Sequence, residues 1–223
     1  MHDDRLPEGQ MDARRRQLLA GAAGAALMPW CATSAQAAAA YEIEGVELPE
    51  TIMAHGQKLV LNGAGVRKRG YYKADVTALY LPEKRTTAEP IYRLNGVRRI
   101  QLNILREFTS STISRIFIAD FKQAATPDEF KRLISVVGQI GAVYANVKRV
   151  VKGDVVNLDW VPGTGWMAFH NNKQLAIEGE PISAINNELA YQIYLRMYIG
   201  EAAPEELRNA LLGLTRLPRA GEG

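Results

Sequence analysis

Past residue 40 the apolar positions fall first into a period of two and later into a period near 3.6. In "YYKADVTALYL", residues 71–81, Tyr72, Ala74, Val76, Ala78 and Tyr80 alternate with Tyr71, Lys73, Asp75 and Thr77. That spacing predicts a strand with one apolar and one more polar face, as in an antiparallel sheet covered on one side. "QKLVLNG" (57–63) predicts an earlier strand, with Arg69-Gly70 turning the chain between the two. "RRIQLNILRE" (98–107) predicts a further strand. In "TSSTISRIFIADFKQAAT", Ser110 or Ser111 can cap a helix whose stripe is Ile113, Ile116, Phe117, Phe121 and Ala124. Asp120 falls in that same stripe, an odd place for a carboxylate. "TPDEFKRLISVVGQIGAVY" predicts one helix over 126–144, with a capping box of Thr126 and Glu129 and Pro127 in its first turn. Its expected buried stripe is Phe130, Leu133, Ile134, Val137, Ile140 and Tyr144.

Strands return in "DVVNLDWVP" and "GWMAFHNNKQLAIEG", the latter turning at "HNNK", where Asn tolerates the left-handed backbone. "ISAINNELAYQIYLRMYIG" predicts a helix stopped by Gly200, and "PEELRNALLGL" a last one begun by Pro204. Strands and helices arranged in blocks predict an α+β fold, one sheet packed against helices.

The first forty residues stand apart. "RRRQLLAGAAGAALMPW" is a basic run followed by an apolar, Ala-rich one, and "SAQA" ending at Ala37 offers the small residues a signal peptidase needs. Arg15 and Arg16 before Gln17, Leu18 and Leu19 resemble the twin-arginine export signal, which predicts a protein exported to the periplasm. Arg14 precedes the pair where Ser or Thr is usual, so the general secretory route stays open. The expected division is an export signal over 1–37 and a single domain over 38–223. The apolar run is too short and Ala-rich for a membrane span, so no stable membrane anchor is expected after cleavage.

Composition narrows the chemistry. The net charge is +3, with acids and bases interleaved, which argues against nucleic acid as a partner. The single cysteine, Cys31, lies in the export segment, and His55 and His170 are the only histidines beyond it. No disulfide, thiol nucleophile, metal site or cofactor is therefore expected. Phosphate loops and nucleophile elbows are absent from the sequence.

"GAGVR" (63–67), then a glycine turn, then "KADVTALYLPE", and later "INNELAYQIYLRMYIGEAAPEELRNALLG", are similar to the chalcone isomerase family, from about Tyr41 to about Leu214. The resemblance is to its bacterial chalcone-isomerase-like branch. It implies an open-faced β-sandwich: a large antiparallel sheet packed against a layer of helices, with a ligand cleft between them. The family's plant enzymes close a chalcone into a flavanone, using an Arg, two Thr, a Tyr and an Asn. Carried onto this chain, the Arg is Arg67. The first Thr position holds Asp75, the Tyr and Asn positions hold Ile113 and Asp120, and the last Thr position holds Met197. Slippage in that third segment would let Thr109 or Thr112 stand in.

One of five groups is kept, and three readings follow. In the first, Arg67 projects into a greasy cleft, unsatisfied by its own chain. It binds a small amphipathic anion, a fatty acid or a phenolic or aromatic acid, as fatty-acid-binding relatives in the family do. Lys68 and Arg69 are then the solvated turn. In the second, an isomerase (an intramolecular lyase) acts on an enone-like substrate, with Arg67 holding the anion and Asp75 or Asp120 moving protons. The third is an interaction module that meets a partner through the sheet edge. Against all three stands a self-contained ion pair between Arg67 and Asp75 or Asp120. His170 is expected in a turn, and Trp160 and Trp166 in the core or at the rim.

Overall fold

Alternation in twos becomes strand, and the computed structural model, which describes residues 39–145, 147–176 and 184–221, shows how the strands meet. The expected export segment, with Cys31, lies outside these residues. A hairpin of β1 (Ala39–Ile43) and β2 (Val46–Pro49) leads into β3 (Thr51–Ala54), β4 (Gln57–Arg69) and β5 (Tyr72–Leu81). A short α1 (Ala88–Tyr92) precedes β6 (Arg98–Ile104). The two-residue strand β7 (Phe108–Thr109) opens α2 (Ser110–Ala124), followed by α3 (Pro127–Arg132) and α4 (Ile134–Ala145). Then come β8 (Arg149–Val150), which pairs with β7, and β9 (Val155–Val161), β10 (Gly165–His170) and β11 (Lys173–Gln174). Helices α5 (Glu188–Ile199) and α6 (Glu205–Leu211) finish the fold. Seven strands form one antiparallel sheet in the order β11-β10-β9-β6-β5-β4-β3, with the longer helices against it. This is the expected α+β architecture, a large curled sheet with a layer of helices.

Three local expectations change. β4 runs on through "GAGVRKR" to Arg69, so the turn is Gly70-Tyr71 and Arg69 belongs to the strand. The helix expected over 126–144 breaks at Leu133. Its amide bonds both Glu129 O (3.1 Å) and Phe130 O (3.2 Å), the tightened last turn that ends a helix. The break leaves Ile134 exposed and brings in Val143, while Leu133, Val137, Ile140 and Tyr144 of the expected stripe are buried. Finally, β5 is buried on both faces. Leu79 and Leu81 join Leu102, Leu158 and Tyr191 on the helix side. Val76, Ala78 and Tyr80 meet Leu48, Leu59 and Leu61 on the far side, with Tyr41, Ile43 and Val46 of the β1–β2 hairpin against them. The more polar edge of the alternation, Asp75 and Thr77, is buried too.

Two ion-paired anchors, one buried and one half-buried, tie the helices in place. Arg98, fully enclosed, donates to the carbonyls of Ile91 (3.3 Å) and Tyr92 (2.7 Å) and to Glu188 Oε1 (2.8 Å), tying α1 and α5 to β6. Glu129 closes the capping box on Thr126 and also accepts from Arg196 Nη1 (2.9 Å), tying α3 to α5.

The glycine pair of "NGAG" has a packing cause. A Cβ at Gly63 would stand 2.0 Å from the carbonyl oxygen of Ala210, and one at Gly65 would stand 2.9 Å from the Ala210 Cβ. Helix α6 thus rests on the bare backbone of β4. Asn62 fastens the contact, donating to Leu211 O (2.7 Å) and Arg85 O (2.9 Å). Gly63→Ala is expected to force α6 off the strand and cost about 3 kcal/mol or more, read as a lowered urea midpoint. An unchanged midpoint would refute the contact.

Candidate functional site

Between the sheet and helices α2 and α5 lies a cavity of about 790 Å³, counted out to its mouth. Its walls are almost wholly apolar. Leu102 and Ile104 of β6 and Val156 and Leu158 of β9 form the floor, and Ile113, Phe117 and Met197 the helix side. One polar group of the lining is set by β4, β5 and α5, which bring Arg67, Asp75, Tyr194 and Tyr198 together.

Arg67 does point inward, but it is not waiting unpartnered. Asp75 stands directly opposite on β5, and Arg67 Nε donates to its Oδ2 (2.8 Å) while Nη2 lies 2.7 Å from the same oxygen. Nη1 donates to the Tyr198 hydroxyl (3.0 Å). Asp75 is essentially inaccessible (1% exposed), and its second oxygen accepts from Thr77 Oγ1 (2.6 Å). The expectation of a guanidinium unsatisfied by its own chain is corrected: the pair is internal, and a hollow adjoins it. The reason is register. With a strand partner one side chain away, a buried carboxylate takes the nearest cation and avoids standing alone in apolar surroundings.

The other sequence candidates sort by position. Asp120, in the apolar stripe of α2, lines the cavity and pairs with Arg69, whose Nη1 lies 3.1 Å from Asp120 Oδ1. Arg69 therefore also lines the cavity, which corrects its reading as solvated turn; Lys68 is solvated as expected, bonded to Glu206 (3.0 Å), but lies in β4 and not in the turn. Ile113 and Met197 are cavity wall. Thr109 and Thr112 do not line it. Thr109 is the N-cap of α2, in place of the expected Ser110 or Ser111. Its Oγ1 accepts from the Thr112 amide (3.4 Å) and lies 3.1 Å from the Thr112 hydroxyl. The carboxylates offered for proton transfer are both held by arginines.

Sequence reasoning missed the tyrosines of α5. Tyr194 and Tyr198 are one helical turn apart, their hydroxyls 3.0 Å from each other, a spacing legible in "YQIYLRMY" once the helix is drawn. Burial pushes the Tyr194, Tyr198 and Tyr144 hydroxyls up from their ordinary range, and the nearby Arg67 charge only partly offsets this. They remain neutral hydrogen-bonding groups. Burial is the largest single influence on Arg67 and works against its charge, the Asp75 carboxylate beside it pulls the other way, and the guanidinium stays protonated. His170 ends β10, lines the cavity and bonds Asp154 (2.9 Å). Trp160 and Trp166 are core. Among the described residues no cluster of His, Cys, Asp and Glu could hold a metal ion, and no helix is long and apolar enough to cross a membrane.

A family model described as chalcone isomerase-like matches residues 40–213. No curated protein matches the chain in sequence. Among solved structures, the crystal structure of a fatty-acid binding protein from Arabidopsis thaliana is similar in fold, with a TM-score of 0.61 at 13% identity, covering 75% of this chain and 92% of that one.

The geometry predicts an asymmetric response to substitution. Arg67→Met alone strands the Asp75 carboxylate and is expected to cost about 3–5 kcal/mol. The double variant Arg67→Met with Asp75→Asn should recover most of that loss in chemical denaturation. A double-variant loss equal to the sum of the two single-variant losses would show that the pair is not coupled.

Proposed function

The chain belongs to the chalcone isomerase-like family, and we propose that its cavity holds one small amphipathic anion, a fatty acid or a phenolic or aromatic acid, with the acid head at Arg67 and Tyr198. The observation that carries this is the make-up of the cavity itself: a mostly apolar hollow into whose wall Arg67, Asp75, Tyr194 and Tyr198 are brought together. A guanidinium has five N–H donors. Asp75 and Tyr198 occupy three of Arg67's, leaving one on each terminal nitrogen. Asp75 thus aims the fork as well as neutralising it, and the ligand head meets oriented donors in a low-dielectric pocket. The tail supplies the affinity, at about 0.8 kcal/mol for each buried methylene. The similar Arabidopsis structure is named a fatty-acid binding protein, which supports the same ligand class for a shared fold.

The isomerase reading draws less support. Asp75 already accepts from Arg67 and Thr77, and Asp120 is held by Arg69, so neither is free to take a substrate proton without breaking an ion pair.

Titration of octanoate, decanoate and dodecanoate against a bound fluorescent fatty acid tests the proposal. Each added methylene should tighten binding roughly fourfold until the cavity is full. Ile113→Trp, which fills the hollow, should abolish binding while the protein stays folded. Affinity independent of chain length, or unaffected by Ile113→Trp, would overturn it.

We further propose that residues 1–37 direct export to the periplasm by the twin-arginine route, on the basic-apolar-small order of that segment. Changing Arg15 and Arg16 together to Lys should then trap the precursor inside a Gram-negative host, as read by fractionation. Undiminished export would point to the general secretory route.

A further inference from the structure

The hairpin tip between β4 and β5 carries side chains that the cavity does not use. The ladder closes with Arg69 opposite Tyr72, so Gly70 and Tyr71 alone make the turn. Gly70 takes the left-handed backbone (φ +59°) that so tight a turn requires. A Cβ built on it would meet nothing within 4 Å, so the tip stands clear of the rest of the fold. Tyr71 at the apex is fully exposed, and Tyr72 beside it is 56% exposed. Each such ring offers about 150–250 Å² to whatever covers it.

The same end of the sheet is basic. β6 ends beside β5, with Ile104 opposite Asp75, and β9 begins there, with Val155 opposite Asn103. The segments leaving β6 and entering β9 therefore share this end with the tip. Leu105 N donates to Ala74 O (3.0 Å), and Gly153 N donates to Ile104 O (2.9 Å). These segments bring in Lys152 and Arg106, the latter with its guanidinium carbon 3.8 Å from the centre of the Tyr72 ring. Lys148 joins them where its carbonyl accepts from the first amide of α2 (3.1 Å). The acids nearby are already held: Glu44 by Lys73, Glu107 by Arg149, Asp120 by Arg69 and Asp154 by His170. Arg106, Lys148 and Lys152 are exposed and have no carboxylate partner among the described residues. They leave this end with a positive charge of its own.

We infer that this end docks on an anionic lipid bilayer, with Tyr71 and Tyr72 among the headgroups and Arg106, Lys148 and Lys152 against their phosphates. A tyrosine has an apolar body and a polar tip, which suits the layer between water and hydrocarbon. Basic residues beside it are drawn to anionic lipid. A single-stranded nucleic acid asks instead for a groove that tracks its backbone, and this tip projects. Arg69, at the base of the tip opposite Tyr72, also lines the cavity. Docking therefore brings a wall of the hollow to the membrane, where a fatty acid resides. That use rests on the reading of the cavity as a fatty-acid site, whereas the docking rests on the tip alone.

Sedimentation with sucrose-loaded vesicles tests the docking, using phosphatidylcholine alone and its two-to-one mixture with phosphatidylglycerol. The protein should pellet with the mixed vesicles far more than with the neutral ones. It should be released at about 1 M salt, where the screening length is about 3 Å. Tyr71→Ser and Lys152→Gln, both at surface positions that the fold does not depend on, should each weaken binding about fivefold or more. Tyr71→Ser should bind dodecanoate as the parent does. Pelleting with neither vesicle, equal pelleting with both, or a Tyr71→Ser variant that pellets like the parent would refute the docking and leave the tip to a folded partner. Docking lost while dodecanoate still binds overturns this inference alone. Docking intact with no dodecanoate bound overturns the cavity reading alone.

Discussion

A carboxylate sealed beneath the arginine of the neighbouring strand sets the terms for the rest of the helix-side cavity. Asp75 has no access to water, so its charge is tolerable only while Arg67 and Thr77 stay in place. That requirement fixes the β4–β5 register at the cavity end. It also orients the guanidinium so that its remaining edge meets Tyr198 and, through it, Tyr194. What looks like a binding group is also a structural one. Its direction is set by the fold before any ligand enters, so binding need not order a long, flexible side chain.

The α+β architecture was legible because it rests on periodicity, and the chain keeps its periods. Helix α5 ends where "YIG" says it should, and the turn at Asn171-Asn172 adopts the left-handed backbone its residues favour. The errors came where long-range packing overrides local pattern. Nothing within "TPDEFKRLISVVG" announces that Leu133 closes one helix and opens the next. Alternation in β5 marked a polar edge, and a polar edge normally faces water. The sequence offers Asp75 and Asp120 alike as ion-pair partners of Arg67, and only the fold decides that Asp75, opposite on the next strand, takes it. Asp120 was noticed as an oddity in an apolar stripe, and Arg69 is its explanation. Resemblance to the family identified Arg67 but could not say what held it. The tyrosines that complete the site lie in a helix read for its boundaries and for Met197 alone.

The two faces of the sheet show how one set of strands supports unlike surroundings. Toward the helices, β6 and β9 present Leu102, Val156 and Leu158, which wall an apolar hollow. Toward the far side the same strands present Gln101, Asn103, Asn157 and Asp159. The alternation that places every second side chain on the opposite face lets each surface change without disturbing the other. The hollow depends on many residues of similar kind, whereas a catalytic set depends on a few particular ones.

The seat of α6 on the glycine backbone of β4 has a consequence for the order of assembly. Asn62 meets Leu211 across 149 positions of chain, so a strand made early is completed by nearly the last helix made. A nascent chain still emerging from the ribosome lacks the piece that covers Gly63 and Gly65. Its sheet must persist half-built until α6 has been made, and closing so wide a loop slows that step. The interval before closure is when the chain is most open to chaperones, to proteases and to the machinery that decides its destination.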